Sequence, residues 1–125
     1  METAETKKVL IVEDHPDLRN ILRRQIERMG LMVIQAKNGA EAIEIAVREK
    51  PHLILMDIMM PDVDGWEAAR TLRSHPETQH VPIVAVTALF RESDLKRCFE
   101  DGCADYIVKP FNFEQLRQKV EEYIL

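Results

Sequence analysis

Residues 53–74 read LILMDIMMPDVDGWEAARTLRS, and this stretch decides the fold. Its first part, residues 53–56, is apolar throughout and lacks the polar–apolar alternation of a half-exposed strand. Such a run predicts a strand that is buried on both faces. Asp57 ends the run, and after several turn-forming residues the stretch 66–74 carries apolar side chains at helical spacing. A buried strand followed by an amphipathic helix is typical of the βα units that build parallel sheets.

The same alternation of strand and helix continues in both directions along the chain. Other short apolar runs predict strands at residues 9–12, 83–86 and 106–108, with a weaker strand pattern at residues 32–36. Helical patterns lie between Pro16 and Gly30 and over residues 40–49, 91–101 and 113–125. The sequence therefore predicts one α/β domain, a (βα)₅ fold with a doubly wound, five-stranded parallel sheet and helices on both faces.

Composition and charge limit the possible functions. The chain has 125 residues, of which 46% are hydrophobic and 31% charged, and its net charge is −5. A negative net charge argues against direct nucleic-acid binding, which requires a basic surface. No apolar run approaches the roughly 18 residues of a membrane-spanning helix, and the polar residues 1–8 do not form a signal peptide. We therefore predict a cytoplasmic protein without membrane insertion, in which Cys98 and Cys103 are reduced thiols.

The predicted strands end in polar residues that are expected to meet. Glu13 and Asp14 follow the first strand, Asp57 the third, Thr87 the fourth and Lys109 the fifth. Ligands of a doubly wound sheet bind outside the carboxyl ends of its strands, so these side chains are expected to lie together. Crowded carboxylates repel one another unless a cation neutralises them. An all-oxygen ligand set with few protein ligands favours Mg²⁺ over Ca²⁺ and gives no indication of zinc or copper.

These strand-end residues suit phosphoryl transfer. A carboxylate beside Mg²⁺ can act as a nucleophile toward a phosphoryl group and form an acyl phosphate, while Lys109 and Thr87 hold the phosphoryl oxygens. Single residues also have simpler interpretations. Asp14 could cap the following helix, Lys109 could be a loop lysine, and Thr87 could be an ordinary β-branched strand residue.

Four stretches of the sequence carry a resemblance to a known family. They are VLIVED at residues 9–14, LMDIMMPDVDG at residues 55–65, VAVTA at residues 84–88 and GCADYIVKP at residues 102–110. In their order and spacing they resemble the receiver domains of two-component response regulators. The resemblance covers residues 8–125, after a polar lead at residues 1–7, and implies the flavodoxin-like strand order 2-1-3-4-5.

The resemblance also implies a role for each strand-end residue. Asp57 is expected to be the phosphoacceptor, and Thr87 and Lys109 are expected to contact the phosphoryl oxygens. Mg²⁺ is the expected cofactor, with Mn²⁺ as a substitute. The expected metal ligands are Asp14, Asp57, the backbone carbonyl of Met59, and Glu13 either directly or through water.

A conformational switch is a further implication of the resemblance. The phosphoryl charge is expected to draw Thr87 toward the site, which makes room for the aromatic ring of Tyr106. The bond between Lys109 and Pro110 is expected to be cis. His15 is expected to be a loop residue beside the pocket rather than a phosphate carrier. Because the apolar residues Met59 and Leu89 supply no group to orient water, slow to moderate dephosphorylation is expected.

The implied function is a signalling switch that promotes its own phosphorylation and dephosphorylation rather than an enzyme. Its expected donor is a histidine kinase or a histidine phosphotransfer protein. An unknown downstream protein is expected to contact the face formed by residues 91–101, Tyr106 and the last helix. Alternatives are a receiver-like scaffold that binds a partner without phosphorylation, and a receiver excised from a larger regulator or hybrid kinase. The start at Met1 favours a complete single-domain regulator.

Two other classes fit the residues less well. A phosphatase of the haloacid-dehalogenase type would need an acid where Met59 stands, two residues after Asp57. A flavodoxin-like cofactor carrier would need a phosphate-binding loop rich in Ser, Thr or Gly after the first strand, and residues 15–17 read HPD. Both interpretations are therefore disfavoured.

Overall fold

Strands and helices alternate along the chain in the computed structural model, which describes residues 6–58, 65–88 and 92–124. The strands are β1 (Lys8–Val12), β2 (Met32–Ala36), β3 (Leu53–Asp57), β4 (Ile83–Thr87) and β5 (Asp105–Val108). The helices are α1 (Pro16–Glu27), α2 (Gly39–Glu49), α3 (Gly65–Ser74), α4 (Glu92–Glu100) and α5 (Phe113–Ile124). The predicted elements are confirmed, with small differences at their ends.

The strands form one parallel sheet in the order β2-β1-β3-β4-β5, which confirms the expected order and fold class. Every residue of β3 and β4 is buried, as expected for central strands covered on both faces. Strands β2 and β5 lie at the edges and are partly exposed. The edge position explains why residues 32–36 give the weaker strand pattern.

Two apolar layers enclose the sheet, because successive side chains of a strand point to opposite faces. On β1, Leu10 packs into a layer with α2 and α3, whereas Ile11 packs into a layer with α1 and α5. Leu72 of α3 and Leu116 of α5 are fully buried in these two layers. Burial of one such side chain contributes about 1.5–3 kcal/mol, so the helices are held on the sheet mainly by these contacts.

Helix α4 ends in a hydrogen-bonded cap formed around Gly102. The N–H of Cys103 donates to the carbonyl of Cys98 at 3.0 Å, and the N–H of Gly102 donates to the carbonyl of Phe99 at 3.1 Å. This pair of bonds is the Schellman motif, and it brings the two cysteines together. Both thiols are buried and neither forms a disulfide.

The register of the sheet sets which residues reach its carboxyl edge. Val12 pairs with Met56, and Asp57 pairs with Val86, so the residues that follow β1 and β4 emerge beside the end of β3. None of the helices within residues 6–58, 65–88 and 92–124 has the length and apolar character needed to cross a membrane.

Candidate functional site

Three carboxylates converge at the carboxyl edge of the sheet. Glu13 and Asp14 follow β1, Asp57 is the last residue of β3, and one oxygen from each lies within 4.8 Å of the others. Glu13 and Asp57 are buried, with 2% and 6% of their surface exposed, whereas Asp14 is exposed. These carboxylates lie close together because β1 and β3 are parallel neighbours, so their carboxyl ends lie side by side at one edge of the sheet.

Lys109 brings a positive charge into this acidic cluster. Its Nζ lies 3.3 Å from Glu13 Oε1 and 3.3 Å from Asp57 Oδ2. The N–H of Lys109 donates to the carbonyl of Thr87 at 2.8 Å, which ties the end of β5 to the end of β4. The bond between Lys109 and Pro110 is cis, as expected. The lysine is therefore a partner of two buried carboxylates and not an exposed loop residue.

Glu13 is held through both its backbone and its side chain. Its N–H donates to the carbonyl of Ala36 at 3.1 Å, and its Oε2 accepts a hydrogen bond from the N–H of His15 at 3.0 Å. Burial, the largest cause, and the charge of Asp57 together raise the pKa of Glu13 to about 7, against the lowering effects of the His15 N–H and of Lys109. The cluster therefore resists a third negative charge and favours a cation.

His15, and not Asp14, caps helix α1. The Nδ1 atom of His15 accepts a hydrogen bond from the N–H of Leu18 at 3.4 Å, and Pro16 occupies the first helical position. The interpretation of Asp14 as the helix cap is therefore wrong. The exposed carboxylate of Asp14 stays with the acidic cluster, and His15 takes the capping role that the sequence did not assign to it.

Thr87 completes the set of strand-end residues. It is the last residue of β4, only 3% of its surface is exposed, and it stands one register position beyond the pair of Asp57 and Val86. All five strand-end residues are thus at one edge of the sheet. Met59 and Leu89, for which the sequence predicted a metal-binding carbonyl and an apolar neighbour of the site, lie outside the described residues.

Tyr106 connects β5 with α4. It is half-buried and pairs with Ala85 across the sheet, two positions before Thr87 on β4. Its ring meets that of Phe99 edge to face, with centroids 6.1 Å apart and an angle of 74° between the ring planes. Phe99 is 48% exposed, so the aromatic pair leads from the sheet to the protein surface.

Two residues near the site were not anticipated. Gly65, the first residue of α3, packs so closely on β3 that a Cβ atom would lie 2.5 Å from Ile58 Cα and 2.9 Å from the carbonyl oxygen of Asp57. Arg19 of α1 donates a hydrogen bond from Nη1 to the carbonyl oxygen of Glu13 at 2.9 Å. The sequence contained one signal for each of them. Gly65 is a glycine at the start of a helix, and Arg19 is a cation in a first helical turn, where anions are favoured.

The donor set fits a hard divalent cation. Each of Glu13, Asp14 and Asp57 offers a carboxylate oxygen, and oxygen ligands are those that Mg²⁺ prefers. Lys109 supplies one positive charge against three carboxylates, so the cluster retains a negative charge that a divalent ion can balance. No histidine or cysteine joins this cluster among residues 6–58, 65–88 and 92–124, which is unlike a zinc site.

Comparisons with known proteins agree with this geometry. The sequence matches the family model of the response regulator receiver domain over residues 9–121. The polar-differentiation response regulator DivK of Brucella anthropi is 37% identical over 118 residues, covering 94% of this chain and 96% of that protein. DivK of Brucella abortus strain 2308 is 37% identical over 119 residues, covering 95% of this chain and 97% of that protein.

Solved structures show the same fold. The chemotaxis protein CheY4 of Vibrio cholerae superposes with a TM-score of 0.92 at 26% identity, covering 96% of this chain and all of that chain (100%). The receiver domain of sensor histidine kinase PA1611 from Pseudomonas aeruginosa has a TM-score of 0.89 at 31% identity, covering 96% and 98% of the two chains. That structure has a magnesium ion coordinated in its active site cleft.

Proposed function

The chain belongs to the response regulator receiver domain family, a family of two-component signalling switches, and we propose that Asp57 is its phosphoacceptor. The observation that carries this proposal is the position of the Asp57 carboxylate. It lies at the carboxyl edge of the sheet, 3.3 Å from Lys109 Nζ and within 4.8 Å of two further carboxylates. A nucleophilic carboxylate needs such neighbours, because catalysis of phosphoryl transfer is mostly positioning and charge neutralisation.

Mg²⁺ is the cofactor that the acidic cluster fits. Asp14 and Asp57 would hold it directly, with the backbone carbonyl of Met59 as a further ligand and Mn²⁺ as a substitute. Glu13 would act directly or through a bound water, beside the hydrogen bonds that its two carboxylate oxygens accept from His15 N–H and Lys109 Nζ. When bound, the ion neutralises charge on the carboxylates and on the incoming phosphoryl group. The magnesium ion in the PA1611 receiver supports this assignment.

The transfer step follows from the positions of the residues. An Asp57 carboxylate oxygen attacks phosphorus, the bond between phosphorus and the donor's imidazole nitrogen breaks, and that nitrogen recovers a proton from solvent. Lys109 Nζ moves its contact from Asp57 Oδ2 to a phosphoryl oxygen. The Thr87 hydroxyl donates to another phosphoryl oxygen. A histidine kinase or a histidine phosphotransfer protein in the cytoplasm is the proposed donor, as for receiver domains in general.

Output passes through the face formed by α4, β5 and α5. Movement of Thr87 toward the phosphoryl group would change the space beside Tyr106, which contacts the exposed ring of Phe99 on α4. A cavity of about 340 Å³ between β5 and α5, lined in part by Tyr106 and Lys119, lies on the same face. A downstream protein that binds this face would sense the switch. The domain itself promotes its phosphorylation and dephosphorylation.

Intact mass spectrometry tests the acceptor. Wild-type protein, Asp57→Asn and the surface control Asp17→Asn are incubated with a small acyl-phosphate donor, with Mg²⁺ or with EDTA. We expect a single phosphoryl adduct on wild type and Asp17→Asn in Mg²⁺, and none on Asp57→Asn or in EDTA. An equal adduct on Asp57→Asn would move the acceptor elsewhere. No adduct on wild type would favour a scaffold that works without phosphorylation.

A further inference from the structure

We propose that Arg19 is a positioning residue for the metal-binding carboxylates, an inference that rests on the Mg²⁺ site proposed above. Arg19 lies in the first turn of α1, and its N–H makes the first hydrogen bond of that helix, to the carbonyl of His15 at 2.9 Å. Its side chain turns back toward the helix start, as long helical side chains do. There, Nη1 donates to the carbonyl oxygen of Glu13 at 2.9 Å.

The carbonyl group of Glu13 needs this partner. Strand β1 ends at Val12, and the register with both neighbouring strands also ends there. The N–H of Glu13 still bonds to the carbonyl of Ala36, but the Glu13 carbonyl lies beyond the paired positions of the sheet. Because Glu13 is only 2% exposed, a strong acceptor at this place requires a donor from the protein.

Holding this carbonyl also holds Asp14. The carbonyl of Glu13 and the N–H of Asp14 belong to one planar peptide group, so fixing the oxygen fixes the plane from which the Asp14 side chain departs. The Glu13 side chain is fixed separately, by His15 N–H and by Lys109 Nζ. Arg19 therefore restrains the peptide between two of the three clustered carboxylates, as partners of metal ligands commonly do.

The position of Arg19 within α1 does not serve the helix itself. A cation in the first turn opposes the positive end of the helix dipole, whereas the neighbouring Asp17 suits it. A side chain that opposes the local preference of a helix is expected where function requires that side chain. A guanidinium is permanently charged, so Arg19 also brings a fixed positive charge to the backbone beside the acidic cluster.

Metal binding tests the proposal. Arg19→Met removes the donor and the charge but keeps an apolar stem, and Arg23→Met is the matched control, since Arg23 pairs with Glu27 at 2.8 Å on the exposed side of the same helix. Circular dichroism in EDTA first shows that each variant is folded. Isothermal titration with Mg²⁺ alone then gives the dissociation constant. We expect Arg19→Met to bind Mg²⁺ about ten-fold more weakly, which is the smallest loss of affinity usual when a partner of a metal ligand is removed. Arg23→Met should bind Mg²⁺ as wild type does.

Kinetics with a small acyl-phosphate donor separate positioning from general damage. Arg19→Met should need more Mg²⁺ for half-maximal phosphorylation but approach the wild-type rate when Mg²⁺ is saturating. Arg19→Lys, which keeps a charge and one donor, should recover part of the affinity. If Arg19→Met does not fold in EDTA, Arg19→Gln, which is neutral and shorter, is judged by the same criterion.

The outcomes distinguish this inference from the proposed function. Mg²⁺ affinity within two-fold of wild type in a folded Arg19→Met or Arg19→Gln protein would overturn the role of Arg19 and leave the metal site intact. A wild-type protein that shows no Mg²⁺ binding would overturn the metal site itself, and the role of Arg19 with it.

Discussion

Lys109 Nζ lies 3.3 Å from Asp57 Oδ2 and equally far from Glu13 Oε1, although these partners are 52 and 96 residues away in sequence. One ammonium group thus contacts two buried carboxylates, one on Glu13 just after β1 and one on Asp57 at the end of the neighbouring strand β3. The contact forms because β5 ends at the same edge of the sheet as β1 and β3. It places the positive charge where negative charge would increase during phosphoryl transfer.

Replacing Lys109 should impair phosphorylation much more than folding. Lys109→Met removes a cationic donor 3.3 Å from Asp57 Oδ2, and loss of one such donor commonly slows a reaction by about 100-fold or more. The initial rate of adduct formation, measured by intact mass with a small acyl-phosphate donor, checks this. Lys37→Met, at an exposed position outside the site, should phosphorylate at the wild-type rate. A Lys109→Met protein within three-fold of that rate would contradict the proposed contact.

Glu13→Gln should stabilise the metal-free protein at neutral pH and weaken Mg²⁺ binding. Because the folded-state pKa of Glu13 is raised from 4.5 to about 7, the stability linked to its protonated form is full below pH 4.5 and is lost as pH rises through 7. Gln cannot ionise and avoids that loss. In EDTA, the free energy of unfolding of Glu13→Gln should therefore exceed that of wild type by about 1 to 3 kcal/mol at pH 8.

Urea denaturation at several pH values checks the sign of this difference. The advantage of Glu13→Gln should be absent near pH 4.5 and grow as pH rises toward 8. Glu44→Gln, an exposed change on α2, should show no such trend. A Glu13→Gln protein less stable than wild type at pH 8 would mean that the hydrogen bonds to Lys109 and His15 outweigh the cost of burying the charge.

The sequence predicted the fold and the strand-end residues because both follow from simple constraints. Uninterrupted apolar runs indicate buried strands, and a parallel sheet forces Asp57, Thr87 and Lys109 to one edge. The residue that caps α1 was harder to predict, since Asp14 and His15 both adjoin the helix and both can accept a hydrogen bond. The contact of Arg19 depends on how a long side chain folds back, which spacing alone does not encode.

Gly65→Ala should disturb both stability and phosphorylation. Its Cβ would lie 2.5 Å from Ile58 Cα and 2.9 Å from the carbonyl oxygen of Asp57, so the backbone of the acceptor strand must shift. Overpacking of this kind commonly costs about 1 to 3 kcal/mol. The free energy of unfolding in urea measures that cost, and the phosphorylation rate should fall because Asp57 moves with the backbone.

Gly30→Ala is the matched control for this substitution. Gly30 has a φ of +80°, and a Cβ atom there would meet no atom of the described residues within 4 Å. Alanine at this position therefore brings backbone strain of about 1 to 2 kcal/mol but no clash. It should lower stability while phosphorylation keeps its wild-type rate. If Gly65→Ala were also phosphorylated at that rate, the close approach of α3 to Asp57 would have no role in placing the acceptor.

Asp105→Asn should loosen α5 from β5 on the proposed output face. The Asp105 carboxylate accepts hydrogen bonds from Lys119 Nζ at 2.9 Å, the Tyr123 hydroxyl at 3.0 Å and the Tyr106 N–H at 2.8 Å. Burial raises the pKa of Asp105, but these donors outweigh burial and lower it. A lowered pKa means that Asp105 stabilises the fold above its ordinary pKa of about 3.9 and that this contribution fades as pH falls further.

Asp105→Asn should lower the free energy of unfolding by about 1 to 2 kcal/mol at pH 7, since the amide keeps an acceptor but loses the charge. The difference from wild type should shrink below pH 4, because wild type then loses the same charge. Tyrosine titration gives a second readout: burial and the Asp105 carboxylate raise the pKa of Tyr123 to about 12, and the variant should lower it. Glu122→Gln, which removes an exposed carboxylate 3.8 Å from Lys119, is the control. If both variants had equal stability at pH 7, the carboxylate of Asp105 would not hold α5 on β5.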